Sequence, residues 1–183
     1  TAGADVQRDR VEVEVVGWGH GEESWSIDYQ IFGGNTKQAD VWEKVETYLG
    51  QRYNLPNGGF LRIVNACIDT GDGFSTDEVY SYAMARNRGR LGWIPIKGAS
   101  KFDAPIFQLP TRSKTNKTRP WILGVGQIKR VIYDYLSRKE SGAGFCHFPE
   151  GRPDSFYRGL TAEKLVTVRS KGFSRLEWHK QYA

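Results

Sequence analysis

Two aspartates stand, by residue type and by neighbours, where acids can do chemistry. Asp5 closes a short run of small residues, Ala2-Gly3-Ala4, and Asp69 closes the apolar run from Phe60 to Ile68, just ahead of Thr70-Gly71-Asp72-Gly73. An acid that steps off the C-terminal end of a strand into a glycine-rich loop sits where open α/β sheets bind ligands. If the two strands lie side by side and parallel, both carboxylates emerge at one edge of the sheet. Two carboxylates that close repel unless a divalent cation lies between them, and with Mg²⁺ or Mn²⁺ they make an oxygen-rich site suited to phosphoryl transfer. Each acid also has a plainer reading as a turn-former that caps its own loop. On the residues alone both readings stand.

Other chemistry is thinner. The loop that begins at Asp69 has Gly at its third and fifth positions, Phe74 at its sixth and Tyr80 at its twelfth, so it fails as a calcium-binding EF-hand. Gly17-Trp18-Gly19-His20-Gly21 has no helix behind it to receive a phosphate and reads as a hairpin turn. There is no Walker A, HExxH or GxSxG sequence, and His20, His147 and His179 share no metal-ligand spacing. Cys67 and Cys146 form no CxxC pair and have apolar or aromatic neighbours, which predicts buried free thiols in a reducing compartment. Lys97, at the end of a strand-like run, is a candidate phosphate contact near the acids.

Positive charge narrows the partner. The 183 residues hold 26 Lys and Arg against 21 Asp and Glu, a net of +5, which favours polyanions weakly. Four of those charges, Arg112, Lys114, Lys117 and Arg119, crowd into RSKTNKTR with no acid among them. That stretch reads as a basic loop, either simply solvated or in contact with phosphates. No apolar run approaches the roughly 18 residues that span a bilayer, and the first ten residues lack a signal-peptide pattern, so a soluble protein without membrane contact is expected. The missing initiator Met suggests a piece of a longer polypeptide.

The acids need a scaffold, and the hydrophobic pattern supplies one. Val11 to Val16 and Trp25 to Ile31 alternate at period two, and with the short segment from Thr1 to Val6 they predict an antiparallel three-stranded meander. Val41, Val45, Tyr48 and Leu49 recur at helical spacing before Gly50, giving a helix over 38–49. Phe60 to Ile68 reads as one central strand. Ser75 and Glu78 fit a capping box for a helix that stops at Gly89. Leu91 to Ile96 is a further strand, Trp121 to Val125 a short one, and Ile128 to Leu136 an amphipathic helix. Short strands are expected near 144–148, 165–170 and 173–179. The order strand, strand, strand, helix, strand, helix, strand predicts a single α/β domain with a mixed sheet flanked by helices.

Several blocks together resemble a known family. Ala2-Gly3-Ala4-Asp5-Val6-Gln7 with Asp9-Arg10, Gly17-Trp18-Gly19 with Gly21-Glu22-Glu23-Ser24-Trp25 and Ile27-Asp28, Cys67-Ile68-Asp69-Thr70-Gly71, Ile94 to Ser100, and His147-Phe148-Pro149 are similar, in the same order, to the nuclease domain of lambda-like phage terminase large subunits. The resemblance implies a ribonuclease H-like fold over 1–183. It also implies a metal-dependent endonuclease that cuts concatemeric double-stranded viral DNA, with two Mg²⁺ or Mn²⁺ ions in the complete site and Asp5 and Asp69 as two of three active-site acids. In that family the third acid stands in a C-terminal helix shortly after a segment like Leu176 to Lys180. It is therefore expected past Ala183, in preference to the nearby Asp9, Asp28, Asp72 or Glu150. The implied partners are an N-terminal ATPase motor domain of the same polypeptide, the terminase small subunit and the portal of the procapsid, in the cytoplasm of an infected bacterial host. A non-catalytic module of the same fold that binds DNA or a packaging partner is the alternative.

Overall fold

The period-two runs become strands, and the pleat turns their small and β-branched residues to one side. In a computed structural model, which describes residues 1–71, 76–86, 91–109, 120–170 and 172–181, the meander consists of β1 (Ala2–Val6), β2 (Arg10–Trp18) and β3 (Ser24–Gly33). Ala2, Ala4 and Val6 are buried alternately along β1, as are Val11, Val13 and Val15 along β2. A helix, α1 (Ala39–Leu49), presses Val41, Trp42, Val45 and Leu49 onto that face. Trp42 also donates its indole N–H to the Thr36 carbonyl at 2.9 Å.

The chain then makes a small hairpin, β4 (Arg52–Asn54) with β5 (Phe60–Arg62), before it enters the main sheet as β6 (Asn65–Asp69). This corrects the single strand expected over Phe60 to Ile68. Gly58 and Gly59 both take positive φ, +84° and +85°, so the chain reverses and pairs 52–54 with 60–62, and the apolar run is split between two sheets. Next come α2 (Thr76–Arg86), β7 (Gly92–Gly98), β8 (Phe107–Gln108), β9 (Trp121–Leu123) and α3 (Val125–Leu136). They are followed by β10 (Cys146–His147), α4 (Asp154–Leu160), β11 (Glu163–Ser170) and β12 (Phe173–Lys180). Ser75 of the expected capping box and Gly89 of the expected helix stop lie outside the described residues. The seven-residue α4 is too short to show a helical period and escapes the sequence reading.

The strands order as β10-β3-β2-β1-β6-β7-β9-β8 in one sheet, with β4-β5 and β11-β12 as separate pairs. β1 pairs antiparallel with β2 and parallel with β6, and β6, β7 and β9 continue in parallel. The protein is thus a mixed α/β domain with a large sheet and helices on it. Among the described residues the buried core cluster lies on one face, where Val79 and Ala83 of α2 join α1 against the sheet. The two thiols are free, as expected, but half-buried and not fully buried. Among the described residues no helix is long and apolar enough to cross a membrane.

Candidate active site: an acidic cleft on the open face of the sheet

Register decides which side chains meet on the face opposite the core. Parallel pairing sets Gly3 beside Cys67 and Ala4 beside Ile68, so one residue further on Asp5 and Asp69 leave neighbouring strands in the same direction. Antiparallel pairing sets Asp5 opposite Glu12 and Gly3 opposite Glu14. Since the intervening Ala and Val residues point into the core, these acids point away from it. They line an open cleft of about 510 Å³ that takes in Asp5, Glu12, Glu14, Tyr29, Cys67 and Asp69, with Ile96 and Gly98 of β7 and Leu123 and Val125 on the far wall. Gly3 keeps the centre empty, because a Cβ built there meets nothing within 4 Å.

The two expected acids are held by short, local contacts. Gln7 Nε2 donates to Asp5 Oδ2 at 2.7 Å, and the Gly71 amide donates to Asp69 Oδ1 at 2.9 Å. Asp69 therefore caps its own turn and lines the cleft at once. The two readings of that residue are compatible.

Glu12 and Glu14 were not singled out by sequence. Glu12 accepts from Arg10 Nε at 2.7 Å and from the Tyr29 hydroxyl. Burial alone would raise its carboxyl, but those two donors outweigh it and hold it below the ordinary range. Tyr29 responds in the opposite sense, pushed up to about 12 by burial first and then by Glu12. Glu14 is raised, chiefly by burial, against the Ser26 hydroxyl at 2.8 Å and the charge of Arg152. A bulge sets this up: Val15 faces Asp28 while Val16 faces Ser26, so the extra residue Ile27 re-phases the strand. Arg152 donates to Ser26 Oγ at 3.2 Å, and its buried Nε has no partner among the described residues. Behind it, Phe156 of α4 meets Tyr29 edge to face at 5.2 Å between ring centroids. The signal for Glu12 and Glu14 lay in Val11-Glu12-Val13-Glu14-Val15, where each acid alternates with a core valine. It needed only the register with Asp5.

The donor chemistry suits a hard divalent cation, since Asp5 and Asp69 offer carboxylate oxygens. The number of donors is small. Among the described residues no set of three or more His, Cys, Asp or Glu side chains is arranged to hold an ion, and Glu12 is already occupied. Two carboxylates fit one ion that keeps most of its waters.

Lys97 does not join them. Its neighbours Ile96 and Gly98 line the cleft, and alternation along β7 turns Lys97 away. Arg112, Lys114, Lys117 and Arg119 lie outside the described residues. Of the other nearby acids, Asp28 accepts from the Tyr48 hydroxyl at 2.8 Å beside α1, on the core face. Asp9 ion-pairs with Arg10 at 3.0 Å, Glu150 does not line the cleft, and Asp72 is outside the described residues.

With this geometry in place, comparison with known proteins gives one family: the endonuclease domain of terminase large subunit gpA matches residues 1–183. The large terminase subunit of Escherichia phage lambda is 34% identical over 97% of this chain and 28% of its own length. That of Enterobacteria phage P21 is 28% identical, again over 97% of this chain and 28% of its own length. The chain thus spans little more than a quarter of the curated relatives it matches. No solved structure matches it.

Proposed function

The chain belongs to the gpA terminase large-subunit endonuclease-domain family, and from that membership we propose that it cuts double-stranded DNA by phosphodiester hydrolysis at the acidic cleft. The observation that carries the reading is the shared cleft of Asp5, one residue before the end of β1, and Asp69, the last residue of β6, on parallel neighbouring strands. The order β3-β2-β1-β6-β7, with three antiparallel strands followed by parallel ones, supports a ribonuclease H-like fold. Mg²⁺ or Mn²⁺ bound there would activate a water molecule and offset charge on the departing 3′ oxygen. Asp5 and Asp69 would hold that cation. Gly3, having no side chain, leaves room for the scissile phosphate above the sheet. Tyr29 and Arg10 keep Glu12 fixed as a charged wall that repels a misplaced phosphate. The partners proposed from the family are concatemeric viral DNA, a motor domain on the same polypeptide, the small subunit and the portal, in the host cytoplasm.

The test is plasmid nicking with Mn²⁺ alongside thermal melts. Asp5→Asn and Asp69→Asn should each lower nicking by on the order of a hundredfold or more, since each removes a carboxylate that would hold the cation at the reacting phosphate. Without metal the melts should stay level or rise, because a repelling charge has been removed. Full nicking in either variant removes that residue from the mechanism. The small donor set favours one second reading, a DNA-binding module that does not cut. In that case the wild-type chain retards DNA in a gel and leaves it intact at every Mn²⁺ concentration.

A further inference from the structure

β11 and β12 form a ribbon apart from the main sheet, pairing with each other from Glu163↔Lys180 to Ser170↔Phe173 and, among the described residues, with no other strand. At about 3.4 Å per residue its eight pairs extend roughly 27 Å. Its base is tied to α3. Glu163 there meets Lys129 and Tyr133 of α3, Trp178 packs on Tyr133 at 5.0 Å, and the Trp178 indole donates to the Gly126 carbonyl at 3.1 Å. Gly126 follows Val125, a wall of the acidic cleft. The ribbon therefore stands at the cleft's rim.

Its charge is lopsided and accessible. Glu163 is taken by Lys129, and Glu177 by Arg175 and His179. Lys164, Arg169 and Lys180 are left with no acidic partner among the described residues. Arg175 is 68% exposed, and a surface pair of this kind exchanges readily for a phosphate. Pairing sets Lys164 and Arg175 on one face of the ribbon and Arg169 and Lys180 on the other. Positive charge on both faces is what a ribbon needs between two rows of phosphates. At the tip Phe173 is 80% exposed, an apolar ring left mostly in solvent.

We propose that the β11–β12 ribbon enters the major groove of duplex DNA and holds the duplex beside the cleft. Two strands about 4.8 Å apart fit a groove about 12 Å wide, which admits a two-stranded ribbon. The choice of DNA as partner rests on the endonuclease reading; the gripping element is separate from Asp5 and Asp69 and can fail by itself.

The experiment is fluorescence anisotropy of a labelled 30-base-pair duplex in EDTA across a KCl series, with dimethyl sulfate protection of guanine N7, which faces the major groove. In the triple variant Lys164→Ala/Arg169→Ala/Arg175→Ala, affinity at low salt should fall at least tenfold. The salt dependence should flatten by about 0.9 per lost phosphate contact. N7 protection seen with the wild type should disappear. Phe173→Ser, at a ring left mostly in solvent, should keep its melting temperature and weaken N7 protection. Unchanged affinity and slope in the triple variant, protection that survives in both variants, or a preference for single-stranded DNA or duplex RNA each overturns the proposal. Asp5→Asn separates the two readings: it should bind and protect as the wild type does, without nicking. Wild-type chain that protects N7 but never nicks leaves the ribbon standing and fells the endonuclease. Chain that nicks while the triple variant binds normally does the reverse.

Discussion

Glu12 and Glu14 sit two residues apart on one strand and one face, yet their carboxyls are displaced in opposite directions. The difference is donors. Glu12 has the Arg10 guanidinium and the Tyr29 hydroxyl, whereas Glu14 has burial and a single serine. A carboxyl raised above its unfolded value favours the fold at pH below the ordinary carboxylate range. That contribution is lost as pH rises through the folded value, so at neutral pH the charged Glu14 is a burden. Glu14→Gln keeps an oxygen for Ser26 and removes the charge. It should melt higher than wild type at pH 7 and level with it at pH 4; a lower melt at pH 7 would mean that Arg152 outweighs burial. At this scale the place of Asp69 was readable, as the acid that ends an apolar run just before Thr70-Gly71, whereas Asp5 comes beside it through strand register. For Lys97 a strand end says nothing about which face a side chain takes, and alternation along β7 turns it from the cleft.

At the scale of elements, two contacts hold the parts packed on either side of the sheet. Trp42 is 1% exposed between α1 and the sheet, and truncating so large a core ring costs about 3–5 kcal/mol. Trp42→Ala should lose that much in urea melts, and Trp42→Phe, which drops the bond to Thr36, should lose distinctly less. On the other side, Gly124 joins β9 to α3 where an added Cβ would lie 2.3 Å from the Ala104 carbonyl oxygen and 2.4 Å from that of Pro105. Backbone atoms cannot step aside as a side-chain tip can. Gly124→Ala should cost about 1–3 kcal/mol and, by shifting Leu123 and Val125 on the cleft wall, should also slow nicking; unaltered stability would show that residues 104–105 yield freely. Helical spacing made α1 and α3 legible and alternation made β1 to β3 legible. The split of 60–69 was not, because an apolar run looks the same whether it feeds one sheet or two, and it is the pairing of 60–62 with 52–54 that takes its first part out of the main sheet.

For the whole molecule, the cation is the test of how complete the site is. Two carboxylates around a hydrated ion should bind it weakly, with a dissociation constant on the order of 10⁻³ M. By mass action a tenfold excess then adds about 1.4 kcal/mol to the folded state. Ten millimolar Mn²⁺ should raise the melting temperature by a few degrees, EDTA should reverse the rise, and Asp5→Asn should abolish it; an equal rise in Asp5→Asn would put the ion elsewhere. Much of the fold is written in local pattern. The meander, α1, Asp69 at its strand end and late strands near 144–148, 165–170 and 173–179 follow from period and from turn residues, which depend on neighbours in the chain. What the tertiary structure alone decided is who faces whom. Gly3 is set beside Cys67 in parallel and Asp5 opposite Glu12, the bulge at Ile27 brings Ser26 under Arg152, and α4 closes behind Tyr29. Those outcomes depend on strand register and long-range packing, and a slip of one residue would carry every acid from the cleft into the core.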